Sequence, residues 1–356
     1  MTIPTIGIIG GGQLGRMLAI AAARLNFRTV VLDPQADCPA AQVASEQITA
    51  AYDDPDALDA LARAAQVVTY EFENVPVAAA GRLQRTVPVY PPPKALEVAQ
   101  DRLVEKRFLN DCGIETADFR AVDSQTDLEN ALADFNDRGV LKTRRLGYDG
   151  KGQRVFRSQQ DDPAGAYDAL GRVPLILESL VAFEREISII AARGRDGAVL
   201  CYDPAENVHR NGILHTSTLP ARIPGATADL ARDSARRLLE ALDYTGVIGI
   251  EFFVMADGAL IANEIAPRVH NTGHWTEAAC VVSQFEQHIR AIASLPLGQP
   301  DRHSDCLMTN LIGNDIADLT GWLEKTDTLV HLYGKTEARP GRKMGHVTQL
   351  TGRKTP

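Results

Sequence analysis

The sequence predicts an α/β protein of two or three domains. Strand-like apolar runs alternate with amphipathic segments from Thr5 to about Pro93, antiparallel strand pairs around glycine turns follow, and 45% apolar against 23% charged residues is an ordinary globular composition. A formal charge of -9 and a pI near 5.4 argue against a nucleic-acid scaffold, so the 37 Lys and Arg residues act locally, if at all, on anionic small molecules. No stretch approaches the roughly 20 apolar residues of a membrane span and no basic leader opens the chain, so the cytoplasm is expected. The five cysteines form no C-x-x-C pair, which indicates reduced thiols and neither a disulfide framework nor a zinc ribbon.

"IGIIG" reads as a buried strand entering a helix through Gly10-x-Gly12-x-x-Gly15, and "RTVVLD" as a second strand ending on Asp33. Glycines let an anion approach that turn, and an acid at this distance suits a ribose, so a dinucleotide pocket is one reading; close strand-to-helix packing is the other. "PDALDALARAA", "QVVTYEFE" and "VPVY" continue the βαβα pattern toward a parallel sheet, and Pro91 to Pro93 mark a boundary. "ALEVAQDRLVEKRFLNDCG" reads as one amphipathic helix stopped at Gly113. A mixed region and a long helix, "ADLARDSARRLLEAL", lead to two antiparallel strands, "GVIGIEFFVM" and "ALIANEIAP", around Asp257-Gly258. The C-terminal "TLVHLYGKTEARPGRKMGHVTQLT" reads as a small β-rich appendage.

Five constellations carry chemistry. In "LKTRRLGYDGKGQRVF" a strand ending near Lys142 meets a glycine loop, Gly147 to Gly152, and returns as a strand; this is no Walker A motif, which needs a following helix. Backbone N–H groups and Lys142 and Lys151 suit a lid over phosphates, unless the glycines merely turn a hairpin. Glu251 and Glu264, one on each strand of the acidic hairpin with Asn263 beside, suit a hard cation such as Mg²⁺, or else form cross-strand salt bridges on a solvent face. The connector in "LILESLVAFEREISII", from Glu178 to Glu186, could read an adenine edge and a ribose, or be a plain acid-bearing loop. "NEIAPRVHNTGHWT" sets Arg268, His270, Asn271 and His274 after the metal acid, a donor cluster suited to an anionic intermediate. "YGKTEARPGRKMGH" holds Lys335, Arg339, Arg342 and Lys343, a phosphate cradle or a solvated loop.

In this order, "GIIGGGQLGRM", "TYEFENVP", "ALEVAQDR", "GYDGKGQ", "NEIAPRVHNTGH" and "YGKTEARPGRKMGH" resemble the signatures of the ATP-grasp superfamily and, within it, of the N5-carboxyaminoimidazole ribonucleotide synthetases of purine biosynthesis. The resemblance implies an ATP-grasp fold with an N-terminal Rossmann-like preATP-grasp domain (1–94), the ATP-grasp domain (95–295, lid about 105–175) and a small C-terminal β-rich module packing on it (296–356). It implies that ATP, bicarbonate and aminoimidazole ribonucleotide give ADP, phosphate and the N-carboxylated ribonucleotide through carboxyphosphate, in a homodimer.

Carried over by position, Arg102 and Lys142 would meet the ATP phosphates under a mobile loop of Gly147, Tyr148, Asp149, Gly150, Lys151, Gly152 and Gln153. Glu178, Ser179, Leu180 and Val181 would form the adenine hinge, Glu186 would take the ribose, and His209 would also lie at the nucleotide. Glu251 and Glu264, with Asn263, would hold Mg²⁺; Gln13, Leu14, Glu71, Tyr148, Lys335 and Arg342 would surround the ribonucleotide. Arg268 and His270 would hold the carboxylating intermediate, and Asp149 would orient the amine or take its proton. Leu146 stands where the family pattern has glycine, Val269 where it has proline and Pro92 where serine is frequent. Three other assignments compete: a formate-dependent phosphoribosylglycinamide transformylase-type ligase, an NAD-dependent oxidoreductase resting on the opening glycines alone, and a nucleotide-binding regulatory protein without catalysis, against which Lys142, Glu251 and Glu264 all remain.

Overall fold

The computed structural model describes residues 3–147 and 151–353. Its first unit is a parallel sheet in which Thr5–Ile9 lies between Arg28–Asp33 and Val67–Tyr70, with Glu46–Thr49 at one edge. Ile6, Ile8 and Ile9 are fully buried because helices cover both faces, which is why this strand reads as a continuous apolar run. Glu46–Thr49 escapes the sequence reading because its half-exposed polar residues lack that signal, and "VPVY" contributes only a bridge from Val89 to Val68.

The single helix expected over "ALEVAQDRLVEKRFLNDCG" is two, Pro93–Ala99 and Arg102–Asp111. Asp101 breaks it: its extended backbone and side chain, which accepts from Leu103 N–H (3.0 Å) and Val104 N–H, cap the second helix. The same carboxylate pairs with Arg144 (2.8 Å) and Arg145 (3.4 Å), tying the helix start to the lid.

The lid is a four-stranded antiparallel sheet ordered Phe119–Val122, Leu175–Ser179, Gly139–Thr143, Gln153–Phe156, with its own core of Leu128, Leu141, Phe156 and Leu177. The remaining strands form one nine-stranded antiparallel sheet. In it Gly246–Val254 pairs with Leu260–Ala266, as the hairpin pattern predicts, and with Arg185–Arg193 on its other side.

The C-terminal segment is β-rich, as expected, and it joins the central sheet edge to edge. Ser304–Ile312 pairs with Ile213–Leu219 and carries Lys343–Arg353 and Thr328–Leu332 beyond it, so the last strands prolong the central sheet. The pairing covers the edge that Ile213–Leu219 would otherwise expose. Among the described residues no helix is long and apolar enough to cross a membrane.

Candidate active site

A cavity of about 710 Å³ opens between the lid, the central sheet and the N-terminal unit. Gln13 and Leu14 enter it from the glycine turn, Arg102 from the second helix, Lys142, Gly147 and Gln153 from the lid, and Leu180 and Val181 from the connector. Glu186, His209, Glu251, Asn263, Glu264, Arg268 and His270 enter from the central sheet and the segment after it. Segments more than 300 residues apart in sequence, from Gln13 to Lys343, thus share one wall.

The acidic hairpin shows how local geometry serves the site. Glu251 lies opposite Glu264, but Phe252 lies opposite Ala262, so Asn263 is the extra residue of a β-bulge. Regular alternation would turn adjacent Asn263 and Glu264 to opposite faces; the bulge lets both line the cavity. Burial and the charge of Glu264 push the pKa of Glu251 up to about 7. Two carboxylates and an amide oxygen lining one cavity fit a hard divalent cation as donor set and charge partner; the Glu251 side chain is 12% exposed, whereas that of Glu264, 40% exposed, pairs with Arg102.

Lys142 does not stand alone. Its ammonium lies 3.0 Å from a Glu178 oxygen that also sits 3.2 Å from Lys106, and the Glu178 side chain is only 4% exposed. Burial alone would raise the pKa of Glu178, but Lys142 and Lys106 outweigh it and hold it at about 2. The Glu178 carboxylate, expected at an adenine hinge, is a counter-ion to Lys142 and Lys106 and does not line the cavity; of that connector Leu180 and Val181 do, while Ser179 stays outside the lining, its N–H given to Asp118 O (2.7 Å). Lys106, fully buried, also donates to Asn263 O (2.9 Å), joining this pair to the acidic hairpin.

Arg102 donates to Glu264 Oε2 and to Gly147 O, both at 3.3 Å, and so links helix, acidic hairpin and loop. Glu105 accepts from Ile265 N–H (2.6 Å) beside it; burial pushes its carboxyl up to about 8. His209 Nδ1 and Glu186 Oε2 lie 2.7 Å apart, and that contact raises the histidine's pKa against the effect of burial.

Arg268 Nε donates to Glu73 Oε2 (2.5 Å); burial opposes charge on Glu73, but Arg268 wins and holds it at about 2. His270 packs so closely on its neighbouring strand that a Cβ on Gly249 would stand 2.7 Å from the His270 Cβ. Gln284 holds its backbone from both sides, accepting from His270 N–H (2.9 Å) and donating to His270 O (2.7 Å). Burial, then the charge of Arg268, keep the imidazole pKa well below its ordinary value, so it is neutral near pH 7.

Several expected residues fall elsewhere. Glu71 accepts from Gly12 N–H and from Gly15 N–H (2.6 Å), which places its carboxylate inside the helix N-terminus and outside the cavity lining. Asp33 accepts from Gly11 N–H and Tyr52 Oη, each at 2.7 Å, and a Cβ on Gly11 would stand 2.1 Å from Cys38 Sγ. The protein's own acids and a thiol thus fill the glycine turn, leaving no dinucleotide pocket and removing the basis of the oxidoreductase reading. His274 is fully buried against His346 and Phe285, away from the donor cluster expected of it.

Arg342 donates to Glu337 O (3.0 Å) outside the lining, while its neighbour Lys343 lines the cavity; Lys335 donates to Gln13 Oε1 (2.5 Å) and Lys343 O (2.7 Å). Lys151 and Gly152 flank the cavity without lining it, and Tyr148, Asp149 and Gly150 lie outside the described residues. Leu146 adopts a φ of +63° and is 72% exposed, a left-handed position that favours the glycine of the family pattern. Glu73, Glu105, Lys106 and Gln284 were missed. Glu73 lies two residues past Glu71 in "TYEFENVP", and Glu105 and Lys106 sit on the buried face of a helix, where charge signals a partner.

Residues 107–285 match the model of the ATP-grasp domain, 3–100 that of the ribonucleotide synthetase preATP-grasp domain, and 306–355 that of the phosphoribosylaminoimidazole carboxylase C-terminal domain. With a four-stranded sheet carrying Lys142 over one cavity and a two-glutamate hairpin in its wall, the fold and the family match define an ATP-grasp ligase. The chain is 61% identical to the N5-carboxyaminoimidazole ribonucleotide synthase of Brucella melitensis, over 98% of this chain and 97% of that one. The crystal structure of the Staphylococcus aureus N5-carboxyaminoimidazole synthetase with ADP superposes with a TM-score of 0.93 at 36% identity, covering 98% of this chain and 93% of that one. The Aspergillus clavatus synthase with ADP and 5-aminoimidazole ribonucleotide gives 0.92 at 32% identity, over 98% and 94%. The chain belongs to the N5-carboxyaminoimidazole ribonucleotide synthase family.

Proposed function

We infer that the chain carries out the ATP-dependent carboxylation of 5-aminoimidazole ribonucleotide with bicarbonate, releasing ADP and phosphate, in purine biosynthesis. The observation that carries this reading is a single cavity in which the Lys142 and acidic-hairpin side meets an Arg268–His270 pair and a wall built from Gln13 and Lys343. A nucleotide site and a second, anion-binding site in one enclosure suit transfer of an activated carboxyl group without its loss to solvent.

Lys142 and Arg102 take the nucleotide phosphates, Leu180 and Val181 offer their backbone to the adenine, and Glu186 with His209 faces the ribose. Glu251, Glu264 and Asn263 would hold Mg²⁺, which when bound neutralises charge on the transferring phosphoryl group. Arg268, fixed by Glu73, and neutral His270, fixed by Gln284, hold the carboxyphosphate or the carbon dioxide derived from it beside the ribonucleotide amine. With its pKa so low, His270 acts as a hydrogen-bonding group more than as a base, and Asp149 or the released phosphate takes the amine proton. Gln13, Leu14, Lys335 and Lys343 face the ribonucleotide, and Glu71 supports that wall from behind.

In this reading residues 1–94, 95–295 and 296–356 act as the three units, and the chain works as a homodimer in the cytoplasm. ADP release by the purified protein, with each co-substrate added or omitted, tests the activity. Turnover is expected only with both bicarbonate and the aminoimidazole ribonucleotide. Indifference to that ribonucleotide, with turnover on formate and glycinamide ribonucleotide, would establish the transformylase alternative.

A further inference from the structure

Outside the cavity, the last two strands and a short helix bring together three side chains that the carboxylation does not use. His331 and His346 are directly opposed on Thr328–Leu332 and Lys343–Arg353, so both imidazoles project from the same face, with ring centroids 5.4 Å apart. Glu277, on the helix Thr276–Ala279, meets that face: its Oε2 lies 2.9 Å from His331 Nδ1 and 3.4 Å from His346 Nε2. One donor atom from each residue lies within 4.8 Å of the other two.

We propose that Glu277, His331 and His346 form a binding site for a tetrahedral divalent ion of the zinc class, separate from the Mg²⁺ carboxylates. Nitrogen and carboxylate ligands about 2.0–2.1 Å from a tetrahedral ion lie roughly 3.3 Å from one another, and the two contacts to Glu277 bracket that separation. Two imidazoles and one carboxylate select zinc-like ions over Mg²⁺, which favours oxygen. His346 is fully buried, and its Nε2 is directed at the Glu277 carboxylate, 3.4 Å away and near the limit of hydrogen bonding. Its other nitrogen, Nδ1, is 2.9 Å from Tyr333 Oη; a proton on Nδ1 donated to that oxygen leaves the Nε2 lone pair for a metal. Glu277 and His331 are 18% and 16% exposed, which gives an ion a path in and a water room as fourth ligand. The ion ties the terminal strands to the segment that follows His270, and so braces the wall that carries Lys343.

The test uses the full chain, stripped with a chelator and titrated with Co²⁺. One equivalent is expected to produce the strong visible absorption of a tetrahedral site, and Zn²⁺ to displace it. The band is lost in His331→Ala and in Glu277→Gln, retained in Glu264→Gln, and formed with about tenfold weaker affinity in Tyr333→Phe. Absence of the band in the unmutated protein, which no folding defect can cause, overturns the proposal and leaves a hydrogen-bonded triad. Its survival in a well-folded His331→Ala, or its loss in a well-folded Glu264→Gln, overturns it equally.

Discussion

Replacing Glu178 by Gln puts the charge balance around Lys142 and Lys106 to a direct test. The carboxylate neutralises two ammonium groups at 3.0 and 3.2 Å with almost no solvent to screen them. Its pKa of about 2, against an ordinary 4.5, corresponds to about 3 kcal/mol of folding free energy near neutral pH. Because the folded value is the lower one, this contribution is complete above about pH 4.5 and is lost as the pH falls toward 2. Glutamine keeps the shape and removes the charge, leaving Lys142 and Lys106 buried and uncompensated, a situation that costs about 3–5 kcal/mol when one partner of a buried pair is deleted. Urea unfolding followed by circular dichroism at pH 7.5 should therefore show a loss of about 3 kcal/mol, together with weaker ATP binding. Adding Lys106→Met should restore at least about 1 kcal/mol, since one ammonium no longer lacks its counter-ion. A cost below about 1 kcal/mol for Glu178→Gln, or no recovery in the double variant, would refute the electrostatic account.

Other expectations follow from the same geometry. Glu264→Gln should abolish turnover and leave circular dichroism unchanged; near-normal ADP release would remove Glu264 from the proposed metal site. Glu73→Gln frees Arg268 from its 2.5 Å partner and should lower kcat for carboxylation well beyond any change in KM for ATP, measured by steady-state ADP release. The raised carboxyl of Glu251 retains its proton in the folded state up to about pH 7, whereas the unfolded chain gives it up near 4.5, so its contribution to stability falls as pH rises across that window. Thermal melts of nucleotide-free protein should show Glu251→Gln gaining on the unmutated chain between pH 5 and 7, and a constant difference would contradict the burial argument.

The features legible in the sequence were those that one local pattern encodes. The run of Ile6, Ile8 and Ile9, the glycine loop between two strands and the acids of the hairpin each appear where their motif predicts. The break at Asp101 was equally local, a capping acid inside an apparently continuous helix. Partnership across the fold was not legible. Nothing adjacent to Glu71 and Glu73 reveals that the first closes a helix N-terminus while the second holds Arg268, 195 residues away.

The sequence by itself determined the α/β class, the family signatures and the residue types the chemistry needs, because periodicity, glycine placement and motif spacing are short-range properties of the chain. Only the tertiary structure decided which charges face the cavity and which are consumed as counter-ions. A buried carboxylate keeps its charge only where distant groups stabilise it, as Lys106 and Lys142 do for Glu178, and only folding sets those distances. For the same reason the opening glycines, a plausible anion pocket when read alone, close around Glu71 and Asp33.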